Sequence, residues 1–203
     1  MSNRIIIACI MWISIFAAIV MSGCSSESAP ARSTATARAA PADVLNNGLR
    51  IRRDEARNRI WLLGLDGVRV YDSVNGQLIR TIELPNWSVA RFICDPDMVL
   101  DSSGSAFISS NVQARLWRID ADGFEVKEHE ISLHGREQWE TGFGALAFAA
   151  DGALYALASS AGSLWKIDVA KASASMIEPN NPPSRACAFT TQFLNNLERS
   201  QKP

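Results

Sequence analysis

Histidine is almost missing from this chain: His129 and His134 are the only two in 203 residues. No Gly-x-Ser-x-Gly elbow stands near either one, so the Ser–His route to nucleophilic catalysis has no visible parts. The two histidines lack Cys or carboxylate neighbours at metal-site spacing, and surface positions are the expectation for both. A strong excess of one charge is also missing. The formal net charge is −1, which argues against nucleic acid as the main partner. After residue 47 there is no long helical periodicity. Hydrophobic residues make up 47% and charged residues 20%, a balance that excludes wholesale disorder.

What is present begins with an address. Arg4 precedes an apolar run over residues 5–20, and Ser22 and Gly23 then precede Cys24. A basic start, an apolar stretch of that length and a small-residue exit describe a secretory signal. An uncleaved anchor is the other reading, and the run is at the short end of the ~20 residues that span a bilayer. Either way the rest of the chain is exported. Residues 25–47 are Ala, Ser, Thr, Pro and scattered Arg, with no aromatic side chain. They cannot bury enough apolar surface to order themselves. As a coil they give a tether with a mean reach of about 25–30 Å. That leaves on the order of 155 residues to fold, enough for one domain with a real core.

The segment Met21-Ser22-Gly23-Cys24 resembles the lipobox of bacterial lipoproteins, with Met21 where that family usually has Leu. The resemblance implies cleavage before Cys24, acylation of its thiol and of the new amino end, and attachment to a membrane. Ser25 follows, and no Asp stands there. By the same resemblance this implies the outer membrane, facing the periplasm. Several acyl chains anchor stably where one alone is marginal.

The remaining chain repeats itself. Val68-Arg69-Val70-Tyr71-Asp72, Leu116-Trp117-Arg118-Ile119-Asp120 and Leu164-Trp165-Lys166-Ile167-Asp168 end alike, and their terminal Asp residues are spaced 48 apart. Upstream, Asp54, Asp101 and Asp151 open equivalent turns. Each unit reads as four short strands. These are 49–52, 60–63, 68–72 and 77–84; then 98–101, 106–109, 116–120 and 124–131; then 145–149, 154–158, 164–168 and 173–177. Asn75-Gly76 is the strongest hairpin signal, and Asp122-Gly123 marks another turn. The expected fold class is all-β, a propeller-like array of about three four-stranded antiparallel blades with a 48-residue period. A β-sandwich with similar hairpins is the alternative.

The repeat resembles the broad group of NHL, YVTN and quinoprotein-like propellers, over residues 48 to about 190. The likeness is specific for architecture and not for an activity. The expected organisation is a signal peptide over 1–23, a tether over 24–47, a propeller-like domain over 48–190 and a tail over 191–203. Rings have 4–8 blades, and three units fall short. One resolution joins the terminal strands into a makeshift fourth blade, with residues 185–189 as a strand. The array is otherwise an open arc capped at both ends, a ring shared by a homodimer, or a shortened remnant. A single chain is preferred over the dimer.

Of the four cysteines, Cys9 leaves with the signal and Cys24 takes the lipid. Cys94 and Cys187 remain in an oxidising compartment and hold related places, 22 and 19 residues after a repeat Asp. A disulfide between them is one reading, which loop-entropy models value at ~4–5 kcal/mol. Two buried thiols acting as small hydrophobes is the other.

Other letters resemble sites without their context. Gly142-Phe143-Gly144-Ala145-Leu146-Ala147 matches a dinucleotide fingerprint but lacks its βαβ unit. Asp120-Ala121-Asp122-Gly123 lacks the third ligand and closing Glu of a calcium loop. Asn86-Trp87-Ser88 is a sequon in letters only. Trp117 and Trp165 recur at equal positions, as core packing demands. Trp87, Phe92 and Trp139 lie in connections between units, where contacts with a partner are expected. Asn111 sits on a loop comparable, by resemblance, to one that helps hold calcium in lactonase-type propellers. The leading functional reading is an envelope-anchored binding module for a protein or other periplasmic partner. It has no catalytic residue, metal or cofactor to name. A calcium-dependent lactonase-like enzyme is the alternative.

Overall fold

The computed structural model describes residues 48–91, 93–134, 142–160, 162–177, 187–189 and 193. Within them the protein is all-β, built from three separate sheets. The first contains β1 (Arg50–Asp54), β2 (Arg59–Gly64), β3 (Gly67–Asp72) and β4 (Leu78–Ile82). The second contains β5 (Met98–Leu100), β6 (Ala106–Ser109), β7 (Arg115–Ile119) and β8 (Val126–Glu130). The third contains β10 (Phe143–Phe148), β11 (Leu154–Ala158), β12 (Leu164–Asp168) and β13 (Ser173–Ile177). Each four is an antiparallel meander in chain order. No sheet among the described residues closes on itself.

The repeated aspartates explain why the chain turns where it does. Asp101 Oδ1 accepts from the N–H groups of Ser103 and Ser105, at 2.8 and 3.0 Å. Asp72 accepts from Val74 and Asn75, Asp120 from Asp122 and Gly123, and Asp151 from Ala153. Asp54 caps a short 3-10 turn by accepting from Arg57 N–H. In every case a short side chain substitutes for the ladder partners that the turning backbone has lost. These hydrogen bonds hold the Asp120 carboxyl below its ordinary range, the Gly123 and Asp122 N–H groups favouring the charged form.

One strand departs from the expected scheme. β9 (Ser132–His134) pairs in parallel with β13, giving the third sheet the order β10-β11-β12-β13-β9. The sequence places these residues in a connection, because three residues carry no readable alternation. A second departure lies in the β7–β8 turn. The left-handed residue there is Phe124, at φ 57°, and not Gly123. The ring of Phe124 sits 5.8 Å from Trp61, with the Arg59 guanidinium 5.0 Å away over its face. Packing therefore holds a backbone conformation that a bulky residue rarely adopts. Cys187–Phe189, the described part of the expected 185–189 strand, is turn and irregular backbone.

Alternation fixes the layers. Trp61, Leu63, Val68 and Val70 point from the first sheet onto Met98, Ile108, Trp117 and Ile119 of the second. The opposite face of the second sheet offers Phe107 and Leu116 to Leu146, Ala156, Trp165 and Ile167 of the third. The second sheet is thus buried on both faces. On the far face of the third sheet, Tyr155, Leu157 and Leu164 pack with Phe189 and Phe193. Trp61, Trp117 and Trp165 are all completely buried.

Strand β5 touches both β1 and β10, so the first strands of the three sheets lie together. Asp97, at the entrance to β5, joins them. Its Oδ1 accepts from Arg50 Nε at 3.1 Å, Arg52 at 2.9 Å and Met98 N–H at 2.8 Å. Its Oδ2 accepts from Leu146 N–H of β10 at 3.0 Å. Its own N–H donates to Ser109 Oγ of β6 at 2.8 Å. Arg50 and Arg52 share one face of β1 because strand side chains alternate.

Two stability outcomes follow. Asp97→Asn keeps the size but removes the buried negative charge that Arg50 and Arg52 share, at an expected cost of about 2–3 kcal/mol in urea unfolding. A cost below about 0.5 kcal/mol would remove Asp97 as the joint. Trp61 Nε1 is buried with no acceptor, whereas Trp117 Nε1 donates to the Pro85 carbonyl at 3.0 Å. Trp61→Phe is therefore expected within about 1 kcal/mol of wild type, and Trp117→Phe to cost about 2 kcal/mol, in the same unfolding measurement.

Candidate binding groove and inter-sheet connections

The 83–97 connection carries several of the expected contact residues. Trp87 is half-buried and meets Trp117 edge-on, with ring centroids 5.3 Å apart. Its Nε1 donates to the Leu65 carbonyl at 2.9 Å. Trp87 therefore seals the end of the core between the first two sheets and shows only part of its ring to solvent. Asn86, at φ 57°, donates through its amide to both carboxylate oxygens of Glu128 on β8. Phe92, Trp139 and Cys24 lie outside the described residues.

Asn111 is completely buried. Its Nδ2 donates to the carbonyls of Ala90 and Cys94, at 2.7 and 2.9 Å, and its Oδ1 accepts from Ala90 N–H at 3.2 Å. Its carbonyl accepts from Ser159 Oγ at 2.7 Å. The side chain is thus spent on tying the 83–97 connection to the second sheet, while the main chain ties on to the third. The glycines of the Gly142-Phe143-Gly144 letters serve the same junction. A Cβ on Gly142 would lie 2.5 Å from the Asn111 carbonyl oxygen, and one on Gly144 would lie 2.4 Å from the Cβ of Cys94. Close approach of backbone is what these glycines allow, not a phosphate cradle. Cys94 is joined to Cys187 by a disulfide, with Cα atoms 5.2 Å apart and a sequence separation of 93.

A groove of about 800 Å³ opens at the hairpin end between the second and third sheets. Phe107 and Phe148 line it and pack edge-on, 5.4 Å between centroids. Asp101, Ser102, Lys166, Asp168, Ser173 and Ser175 also line it. Lys166 Nζ stands 5.8 Å over the Tyr155 ring, and Arg118 stands 5.8 Å over Phe107. Asp168 is held below its usual range by Lys171, whose ammonium lies 2.9 Å away and is raised in turn. An aromatic floor bordered by serine and charged residues of both signs suits a polar ligand that also offers an apolar face. Sequence reading does not find this groove. Its one advance signal is the alternation of Ser173 and Ser175 with buried Ala174, which reads equally well as an ordinary edge strand.

The two histidines differ. His134 is exposed, while His129 on β8 is half-buried with its Nε2 enclosed and without an acceptor. Burial lowers the His129 pKa from 6.5, and Lys127 and Arg118 lower it further. Among the described residues, no three His, Cys, Asp or Glu side chains gather as a metal ion would require. No protein-family model matches the chain, and no curated protein matches its sequence.

The lowered His129 pKa makes stability depend on pH. The unfolded chain takes up this proton first, so the neutral ring stabilises the fold above about 6.5 and that contribution is lost as pH falls below it. His129→Gln is expected to show a smaller loss than wild type between pH 7.5 and pH 5 in urea unfolding. Equal losses would show that His129 does not contribute.

Proposed function

We propose that this chain is a lipoprotein of the bacterial envelope, held by lipid on Cys24, and that its β domain is a propeller-like binding module for a protein or other periplasmic partner. Three four-stranded meanders, stacked face to face with their first strands together, support the propeller-like arrangement. The lipobox letters and the tether over 24–47 support the address. The groove between the second and third sheets carries the binding reading, because serine and charged residues border an aromatic floor in a volume that fits a ligand. Asn111, the residue that connects this chain to the calcium-lactonase reading, spends its side-chain amide on backbone groups. No observation favours the enzyme over the module.

The test places a photo-crosslinking residue at Ser102 in the groove wall, in cells fed a clickable palmitate analogue. The wild-type chain is expected to carry the label, to fractionate with outer membrane and to give a discrete adduct. Cys24→Ser is expected to lose the label and the membrane fraction. A labelled Cys24→Ser protein would contradict the anchor, and the absence of any adduct would contradict the groove as the binding site.

A further inference from the structure

The three sheets follow one plan, and only the first two are followed by another sheet. Val68, Leu116 and Leu164 stand 48 residues apart, each on the third strand of its meander. Trp61, Phe107 and Tyr155 hold the matching place on the second strand, opposite Val70, Arg118 and Lys166. Trp61 and Val68 pack on the second sheet, and Phe107 and Leu116 pack on the third. Tyr155 and Leu164, with Leu157 beside them, have no fourth sheet to meet among the described residues. Phe189 and Phe193 lie against them, stacked on each other with ring centroids 6.0 Å apart. Two aromatic rings thus stand where the repeat places a following sheet.

Backbone pairing does not hold these rings in place. Cys187–Phe189 is turn and irregular backbone, and no hydrogen bond joins it to a strand among the described residues. The contact of two partly buried rings is weak against the conformational entropy lost by the backbone that carries them. The covalent tie is the bond from Cys187 to Cys94, and its two ends are unlike. Cys94 is buried and is held without the bond. Its N–H donates to the Ser159 carbonyl at 3.4 Å, and its carbonyl accepts from Asn111 Nδ2 at 2.9 Å. Cys187 is exposed, where a thiol can reach it. Breaking the bond therefore leaves Cys94 in place and frees Cys187.

We propose that the Cys94–Cys187 bond is a redox latch: a dithiol reductant opens it, Phe189 and Phe193 leave the third sheet, and the apolar face of Tyr155, Leu157 and Leu164 is uncovered while the three sheets stay folded. A thiolate of the reductant attacks the exposed Cys187 sulfur, the S–S bond breaks, and Cys94 leaves as a thiolate that takes up a proton. The second thiol of the reductant then displaces Cys187 and closes the reductant's own disulfide. Two electrons pass to the protein, and the reductant's two thiol protons are balanced by those on Cys94 and Cys187. The sheets outlast the step because Asp97 joins β1, β5 and β10 without either cysteine. The latch asks nothing of the ligand or of the lipid anchor, so it can fail while they stand.

The test is chymotrypsin cleavage of the full-length chain in detergent micelles, read by mass spectrometry. One sample keeps the bond; the other is reduced with dithiothreitol, alkylated on Cys94 and Cys187 and freed of reagent. Cleavage after Phe189 is expected to speed up at least about tenfold on reduction, because it follows the population of the open state. No new cuts are expected after Trp61, Trp117 or Trp165. Cys187→Ser is expected to match the reduced chain with no reductant, and reoxidation of an unalkylated sample to restore resistance. Unchanged resistance at Phe189 in the fully alkylated chain would overturn the proposal, as would equally fast cleavage before reduction. New cuts at the three tryptophans would overturn it too, since the bond would then hold the whole fold and not one face.

Discussion

A single carboxylate, that of Asp97, holds the first strands of all three sheets in register. It accepts from two arginines of β1 and from the backbone of β5 and β10, and its own N–H reaches β6. A buried charge is costly unless it is paired and fully hydrogen-bonded. That requirement constrains where β1 and β10 can sit relative to β5. The two apolar cores then fill outward on either face of the second sheet. Next along the chain toward the N-terminus, the Cys94–Cys187 bond and the Asn111 amide hold the same connection from its other side. Polar and covalent ties are concentrated around one connection, and oily packing lies between the sheets.

The sheets were legible in the sequence because their information is local. An Asp at a turn, apolar residues alternating over five positions and another Asp at the far end define each hairpin without knowledge of the rest of the chain. The observed strands accordingly begin and end within a few residues of the expected ones. The features that were not legible depend on distant partners. β9 is three residues long, and only β13, some 40 residues later, makes it a strand. Asp97 looks like any of the other aspartates until Arg50 and Arg52 are seen to share a strand face. Phe124 occupies a left-handed turn position that the adjacent Gly123 would take more easily, because Trp61 and Arg59 reward its ring. Asn111 stood out as a loop polar residue, and it is the interior of that loop that it satisfies.

The two ends of the array are finished differently. The last sheet has its outer face packed by Phe189 and Phe193 and its edge taken by β9. The first sheet exposes its edge strand, with Leu78 and Ile79 open to solvent. An array whose one end is closed and whose other end is open has a direction.

The most direct test of the account is native-state amide exchange read strand by strand. If Asp97 joins the sheets, amides of β1, β5 and β10 open together, at the free energy of global unfolding, with β4 opening earlier as a frayed edge. If the whole first sheet exchanges as a unit of its own at a lower free energy, with β5 and β10 still protected, the sheets are independent and the Asp97 carboxylate does not hold them together.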